Sequence, residues 1–242
     1  MRNKLKKIVG VAMLGWMLST SVFAQTASHQ YRFDGTLADD FGGAALVSGG
    51  GVVGASGYTF DKNQGLTLTE SLGSVYTIDL SFSFSALSGW QKIADFSNLS
   101  SDNGLYSLGA SLSSFVSGIQ TIGGPLVANE LSRVTLTRDA QNQVSVYANG
   151  VFAGSFSDMS LAFASTQSTK FFVDDVASSQ REASAGVVKY IRTYNSALTS
   201  AQVASLATPL APVPEPETYA MLLAGLGLMG AAVKRRKSAT RC

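Results

Sequence analysis

Cysteine is almost absent from this chain of 242 residues: the single Cys is Cys242, the last residue. A domain that ends before it has no disulfide, no thiol nucleophile and no cysteine metal site. Histidine is as scarce. The sole His29 excludes a multi-histidine metal centre, and its place near the start of the interior predicts a solvated end residue. A Ser-His-Asp triad would have to be built on that one imidazole. Glutamate is sparse too, since residues 25–211 hold only Glu70, Glu130 and Glu182. No strand-like segment carries the alternating acids that a pair of hydrolytic carboxylates would use. Asp174 and Asp175 are adjacent, so on a strand they would point to opposite faces. The Gly-rich stretch 48–57 lacks the Gly-Lys-Ser/Thr of a phosphate loop and predicts a flexible turn. These absences argue against an enzyme.

Positive charge is missing from the interior as well. The whole chain is +2, but residues 25–211 carry nine Lys plus Arg against fourteen Asp plus Glu, a net −5. Nucleic-acid binding therefore has no electrostatic warrant. The basic excess sits at the two ends. Roughly 187 residues can bury a core without disulfides, so the interior reads as one domain.

The ends read as address labels. Arg2, Lys4, Lys6 and Lys7 precede an apolar run of eleven residues, 8–18, and Val22-Phe23-Ala24 offers small residues for cleavage. This is the pattern of a secretory signal peptide, 1–24, cut by signal peptidase. At the other end a Pro-rich linker, 209–218, contains Val213-Pro214-Glu215-Pro216. Fifteen uncharged, mostly apolar residues follow, 219–233, and then a basic tail, 234–242, with Lys234, Arg235, Arg236 and Lys237. As a helix, fifteen residues cover about 22 Å, against a hydrocarbon core of about 30 Å, which is short for a permanent span. The basic cluster would stay cytoplasmic. A simple membrane anchor is one reading. The ordered triplet of VPEP, short apolar segment and Arg-rich end also resembles the PEP-CTERM sorting signal of Gram-negative bacteria. That resemblance implies recognition by an exosortase, transient anchoring in the inner membrane, removal of the tail, and delivery to the cell surface or extracellular matrix.

Strand signals fill the interior. Residues 75–87 (VYTIDLSFSFSAL) and 133–138 (RVTLTR) alternate apolar and polar with period two. Residues 143–156 hold two strands around Asn149-Gly150, a type I′ hairpin signal. Residues 170–173 and 186–194 are further strands, with shorter candidates at 30–33, 58–60, 65–69, 91–96 and 105–108. One short helix over 201–207 follows the capping box Thr199 to Gln202, as an appendage on the sheet edge. The fold class is all-β, a sandwich of two antiparallel sheets over residues 25–208.

Three landmarks, YRFDGTLADDFGG at 31–43, SVYANGVFAGSF at 145–156 and GVVKYIRTYNSALTSAQVASL at 186–206, resemble laminin-G-like, concanavalin-A-like domains. The resemblance implies a jelly-roll sandwich, often with a rim calcium and with glycan or protein binding on the concave face. Lys189 stands where such domains often carry a calcium-ligating Asp. Asp174 and Asp175 are then the best candidates for a structural calcium, although paired Asp in loops also serve as turn formers and solvated charges. Carbohydrate recognition uses exposed aromatics with nearby amides and carboxylates. Trp90, after the turn signal Ser88-Gly89, and the loop of Asp102, Asn103 and Tyr106 are the candidate glycan-binding residues, with rim or core packing as their alternative role. Two function classes follow: a non-catalytic surface or matrix protein of an exopolysaccharide layer or biofilm, and a glycan-binding module with a defined site. A glycoside hydrolase is a weaker third, requiring carboxylates brought together across strands.

Overall fold

The computed structural model describes residues 25–116 and 118–206. The leader 1–24, the motif Val213–Pro216, the apolar segment 219–233 and the basic tail 234–242 lie outside the described residues. Fifteen strands and one short helix follow in order. They begin with β1 (His29–Tyr31), β2 (Val47–Ser48), β3 (Val52–Gly54), β4 (Gly57–Phe60) and β5 (Leu66–Leu68). Next come β6 (Tyr76–Phe84), β7 (Trp90–Asp95), β8 (Gly104–Leu108), β9 (Ser111–Phe115) and β10 (Ile119–Pro125). The chain continues with β11 (Ser132–Arg138), β12 (Gln143–Ala148), β13 (Val151–Ser157), β14 (Thr169–Phe171), β15 (Gly186–Tyr194) and α1 (Ser200–Ser205).

The strands form two antiparallel sheets stacked as a jelly-roll sandwich. One has eight strands in the order β13-β12-β11-β6-β15-β4-β3, with β1 paired to β15; the other has seven, β10-β9-β8-β7-β14-β5-β2. The period-two segments become the centre of the larger sheet. Ile78, Leu80, Phe82 and Phe84 of β6 point into the sandwich with Val188 and Ile191 of β15. Ile93, Leu105 and Leu112 meet them from the smaller sheet. At the middle, Phe172 packs 4.7 Å from Phe60 and 5.1 Å from Phe82, ring centre to ring centre. Its backbone sits at φ +60°, an unfavourable angle for a non-glycine residue that this packing stabilises.

The hairpin is a type I′ turn, with Asn149 at φ +51° and Gly150 at +81°. The stretch 48–57 differs from the flexible turn expected of it. It holds the end of β2 and all of β3, and a Cβ on Gly51 would lie 2.5 Å from the Thr59 carbonyl oxygen. Glycine is there for close backbone approach, so the composition was misleading. Strands β9 and β10 carried too much Ser and Gly to alternate visibly in sequence.

The helix forms on its capping box: the Thr199 hydroxyl accepts from the Gln202 amide, and the Gln202 side chain accepts from the Thr199 amide. It lies on the outer face of the eight-stranded sheet, next to the edge strand β13. Val203 is buried against Tyr147, Tyr194 and Leu198. Arg133 of β11 fastens the helix end, donating at 2.8 Å to the carbonyls of both Val203 and Leu206 and at 2.8 Å to Asp79. His29 is likewise not a free end residue. It is held between Asp39 at 2.9 Å and Glu70 at 3.1 Å.

Candidate functional site

Alternation along the seven-stranded sheet builds a second face. Ile93, Leu105 and Leu112 turn into the core, so Lys92, Tyr106 and Phe115 turn away from it, joined by Trp90. Trp90 pairs with Leu108 and Lys92 with Tyr106, which sets Trp90 diagonal to Tyr106 across β7 and β8. Their rings meet edge to face, 5.3 Å between centroids and 80° between planes. A register shift between Lys92 and Ala94 reshapes this ladder next to the site. The segment between β14 and β15 folds over β7, fixed by the Lys92 amide donating to the Glu182 carbonyl at 2.8 Å. The result is a shallow pocket of about 90 Å³ lined by Trp90, Asp102, Tyr106, Phe115, Ile119 and Glu182. Enclosed sites for drug-sized ligands are larger, about 300–1,000 Å³, so this pocket suits one unit or substituent of a ligand that extends beyond it.

Charge is organised beneath the pocket around Lys92. The Lys92 side chain is fully buried and its ammonium donates to Asp175 Oδ2. It also lies 3.4 Å from the Asn103 carbonyl oxygen, 3.6 Å from Asp95 Oδ2 and 4.5 Å from the centre of the Tyr106 ring. Burial pushes the Asp175 carboxyl up, but the Lys92 ammonium and the Ser178 and Ala177 amides outweigh it and hold the group below the usual range. Asp95 goes the other way, because burial prevails over the Leu99 amide and Lys92. Glu182 is pushed up to about 7, first by burial, then by the charges of Asp102, Asp174 and Asp175, with Lys92 opposing. Burial and the Asp102 carboxylate raise Tyr106, so its phenol stays protonated. That hydroxyl is 2.9 Å from Asp102 Oδ1 and 3.2 Å from Asp175 Oδ2.

Three of the sequence candidates, Trp90, Asp102 and Tyr106, thus share one pocket. Asn103 does not line it; its side-chain amide donates to Ser101 Oγ at 3.2 Å. Glu182 was not singled out in the sequence. Its place depends on one backbone hydrogen bond to a strand far away along the chain, and no local signal announces it.

Asp174 and Asp175 follow β14 in a loop, both fully buried. They do not fit a calcium ion. Asp175 is engaged by the Lys92 ammonium and by the Ala177 and Ser178 amides. Asp174 Oδ2 accepts from the Ser178 hydroxyl and from the Glu182 amide at 2.7 Å, leaving Oδ1 without a partner among the described residues. Even counting the unpartnered Asp95 Oδ2, 3.6 Å from the Lys92 ammonium, two free carboxylate oxygens are far from the six to eight oxygens calcium takes. Among the described residues no group of three or more His, Cys, Asp or Glu side chains is arranged to hold a metal. Lys189 lies elsewhere, half-buried on β15, donating to the Ser56 carbonyl.

Comparison with known proteins gives two family matches. The profile of the concanavalin A-like lectin/glucanases superfamily covers residues 60–204, and that of the PEP-CTERM protein-sorting motif covers residues 212–237. The sorting motif implies an exported protein, at the cell surface or outside the cell. No curated protein matches the chain in sequence. Among solved structures it is similar to domain 4 of AbnA, a GH43 extracellular arabinanase from Geobacillus stearothermophilus in complex with arabinotriose. That match has TM-score 0.56 and 19% identity over 77% of this chain and 100% of the other. The receptor-binding domain of botulinum neurotoxin type G matches at TM-score 0.57 and 15% identity, over 74% of this chain and 50% of that one. Trypanosoma rangeli sialidase matches at TM-score 0.60 and 14% identity, over 74% of this chain and 32% of the enzyme. At these identities the likeness concerns the fold.

Proposed function

The chain belongs to the concanavalin A-like lectin/glucanases superfamily, and from that premise we propose that it is a non-catalytic glycan-binding protein, sorted by an exosortase to the surface or extracellular matrix, where it engages exopolysaccharide. One observation carries this reading: Trp90 and Tyr106 stand edge to face beside Asp102 and Glu182 around one pocket. Aromatic rings offer apolar faces to the C–H surfaces of a sugar, and the carboxylates accept from its hydroxyls. The arabinotriose-bound arabinanase domain, similar over its full length, supports a saccharide role for the fold. Binding by the exported protein on a glycan array tests it. Saturable binding that Trp90→Ala weakens by about 30-fold or more is expected, because a central aromatic anchor is worth about 2 kcal/mol or more. A featureless array leaves a purely structural matrix protein.

A second reading rests on Glu182. A glutamate pushed up to about 7 near the Asp102 carboxylate has the makings of a general acid with an anionic companion. Release of reducing ends from a bound oligosaccharide, abolished in Glu182→Gln, would establish a glycoside hydrolase in place of a binding module.

A further inference from the structure

We infer that the pocket selects saccharides bearing a free amine, such as de-N-acetylated hexosamine units, over neutral sugars, and disfavours uronic and other acidic sugars. The inference rests on the glycan-binding reading and names the ligand class of the same site.

The charge imbalance is built into the walls. Two of the six lining residues, Asp102 and Glu182, are carboxylates, and none is a cation. The one cation nearby, Lys92, has no exposure to solvent, and its ammonium is already held by Asp175, the Asn103 carbonyl and the Tyr106 ring. An anionic ligand would therefore find no cationic partner in the pocket. Arg181 is adjacent in sequence but does not line it; its Nε donates to the Ser178 carbonyl. Asp174 adds to the imbalance. It is fully buried, accepts from the Glu182 amide, and its Oδ1 has no partner among the described residues.

Three terms then favour an ammonium over the hydroxyl or acetamide of an otherwise identical sugar. It relieves the mutual repulsion of Glu182, Asp102, Asp174 and Asp175, which after burial is the second cause that raises Glu182. It donates charge-assisted hydrogen bonds to the two lining carboxylates. Beside the half-buried Trp90 ring it gains cation–π attraction, which is strongest at tryptophan; the Tyr106 ring, fully buried and already carrying Lys92, takes no part.

The test titrates the exported protein at low salt with three probes of similar length: β-linked glucosamine oligomers, their N-acetylated counterparts, and oligogalacturonate. The amine form is expected to bind at least about five-fold tighter than the acetamide form, the upper range of one exposed ion pair. Oligogalacturonate is expected to bind weakest. The amine preference shrinks as salt rises toward 1 M, where screening acts within about 3 Å. Glu182→Gln, nearly the same shape without the charge, lowers the ratio of amine to acetamide affinity. The salt series on the unaltered protein gives the same answer should that variant fold poorly. Equal binding of the amine and acetamide probes, or tightest binding of oligogalacturonate, overturns the inference and leaves the glycan-binding reading standing. Failure of these probes and of a wider glycan array to bind overturns both.

Discussion

Lys92 of β7 and Asp175 of the loop after β14 form an ion pair with neither side chain exposed to solvent, joining two segments 83 residues apart in the chain. Asp175 also accepts from the Ala177 and Ser178 amides, so the pair pins the loop that carries Glu182.

Removing one partner leaves an uncompensated buried charge. Lys92→Met is expected to cost about 3–5 kcal/mol of unfolding free energy, and the double variant Lys92→Met, Asp175→Leu much less than the sum of its parts. Chemical denaturation of both singles and the double measures this. A loss under 1 kcal/mol in Lys92→Met would mean that water reaches the pair.

Glu182 gives the pocket a pH response near neutrality. Its carboxyl is raised in the folded state, from 4.5 to about 7, by burial and by Asp102, Asp174 and Asp175, against Lys92, with the neutral Tyr106 phenol beside it. The folded protein therefore holds the proton more tightly than the unfolded chain. The contribution is favourable below about pH 4.5, is lost as pH rises toward 7, and changes little beyond. Melting temperatures from pH 4.5 to 7.5 should fall more steeply for the native sequence than for Glu182→Gln. A bound amine also stabilises the carboxylate and expels the proton, so calorimetry near pH 7 in buffers of different ionisation heat should register proton release.

Calcium should do nothing. With Asp175 committed to Lys92, adding calcium or a chelator is expected to leave the melting temperature where it was. A rise of several degrees on adding calcium would show that the Lys92 side chain yields its place to the ion.

Arg133 is a clamp for the end of the described chain. In Arg133→Met the Leu206 carbonyl loses its Arg133 donor and the Val203 carbonyl keeps only the Leu206 amide at 3.3 Å, while Asp79 keeps Arg192 at 2.7 Å and Thr135 at 2.6 Å. A loss of about 1–3 kcal/mol is expected, as for a hydrogen bond to a charged group. Amide exchange should speed up over residues 200–206 more than over β6 and β15. Uniform acceleration across both sheets would show that Arg133 supports the whole sandwich instead.

The parts of this fold that could be read from sequence were those with a local cause. Period-two alternation marks β6 and β15 because one face of each packs into the apolar core while the other carries mostly polar residues, many of them buried too. Asn149-Gly150 and Thr199 to Gln202 declare themselves through backbone angle and capping. Trp90, Asp102 and Tyr106 were visible as an aromatic after a turn and a polar loop, and the sheet brings them together. What stayed hidden was long-range. Neither Glu182 at the pocket nor His29 between Asp39 and Glu70 has a pattern in its own segment. The partner of Asp175 proved to be Lys92, 83 residues away, and nothing in either segment announces the pairing.

The Arg133 clamp also fixes a direction. It holds Leu206, the last described residue, against the outer face of the eight-stranded sheet, whereas Trp90 and Tyr106 look outward from the seven-stranded sheet. The described chain thus ends on one broad side of the slab and the proposed binding pocket opens on the other. A surface that grips this protein by its C-terminal end would carry the pocket on the far side, aimed into the medium and free to catch a polymer strand passing overhead.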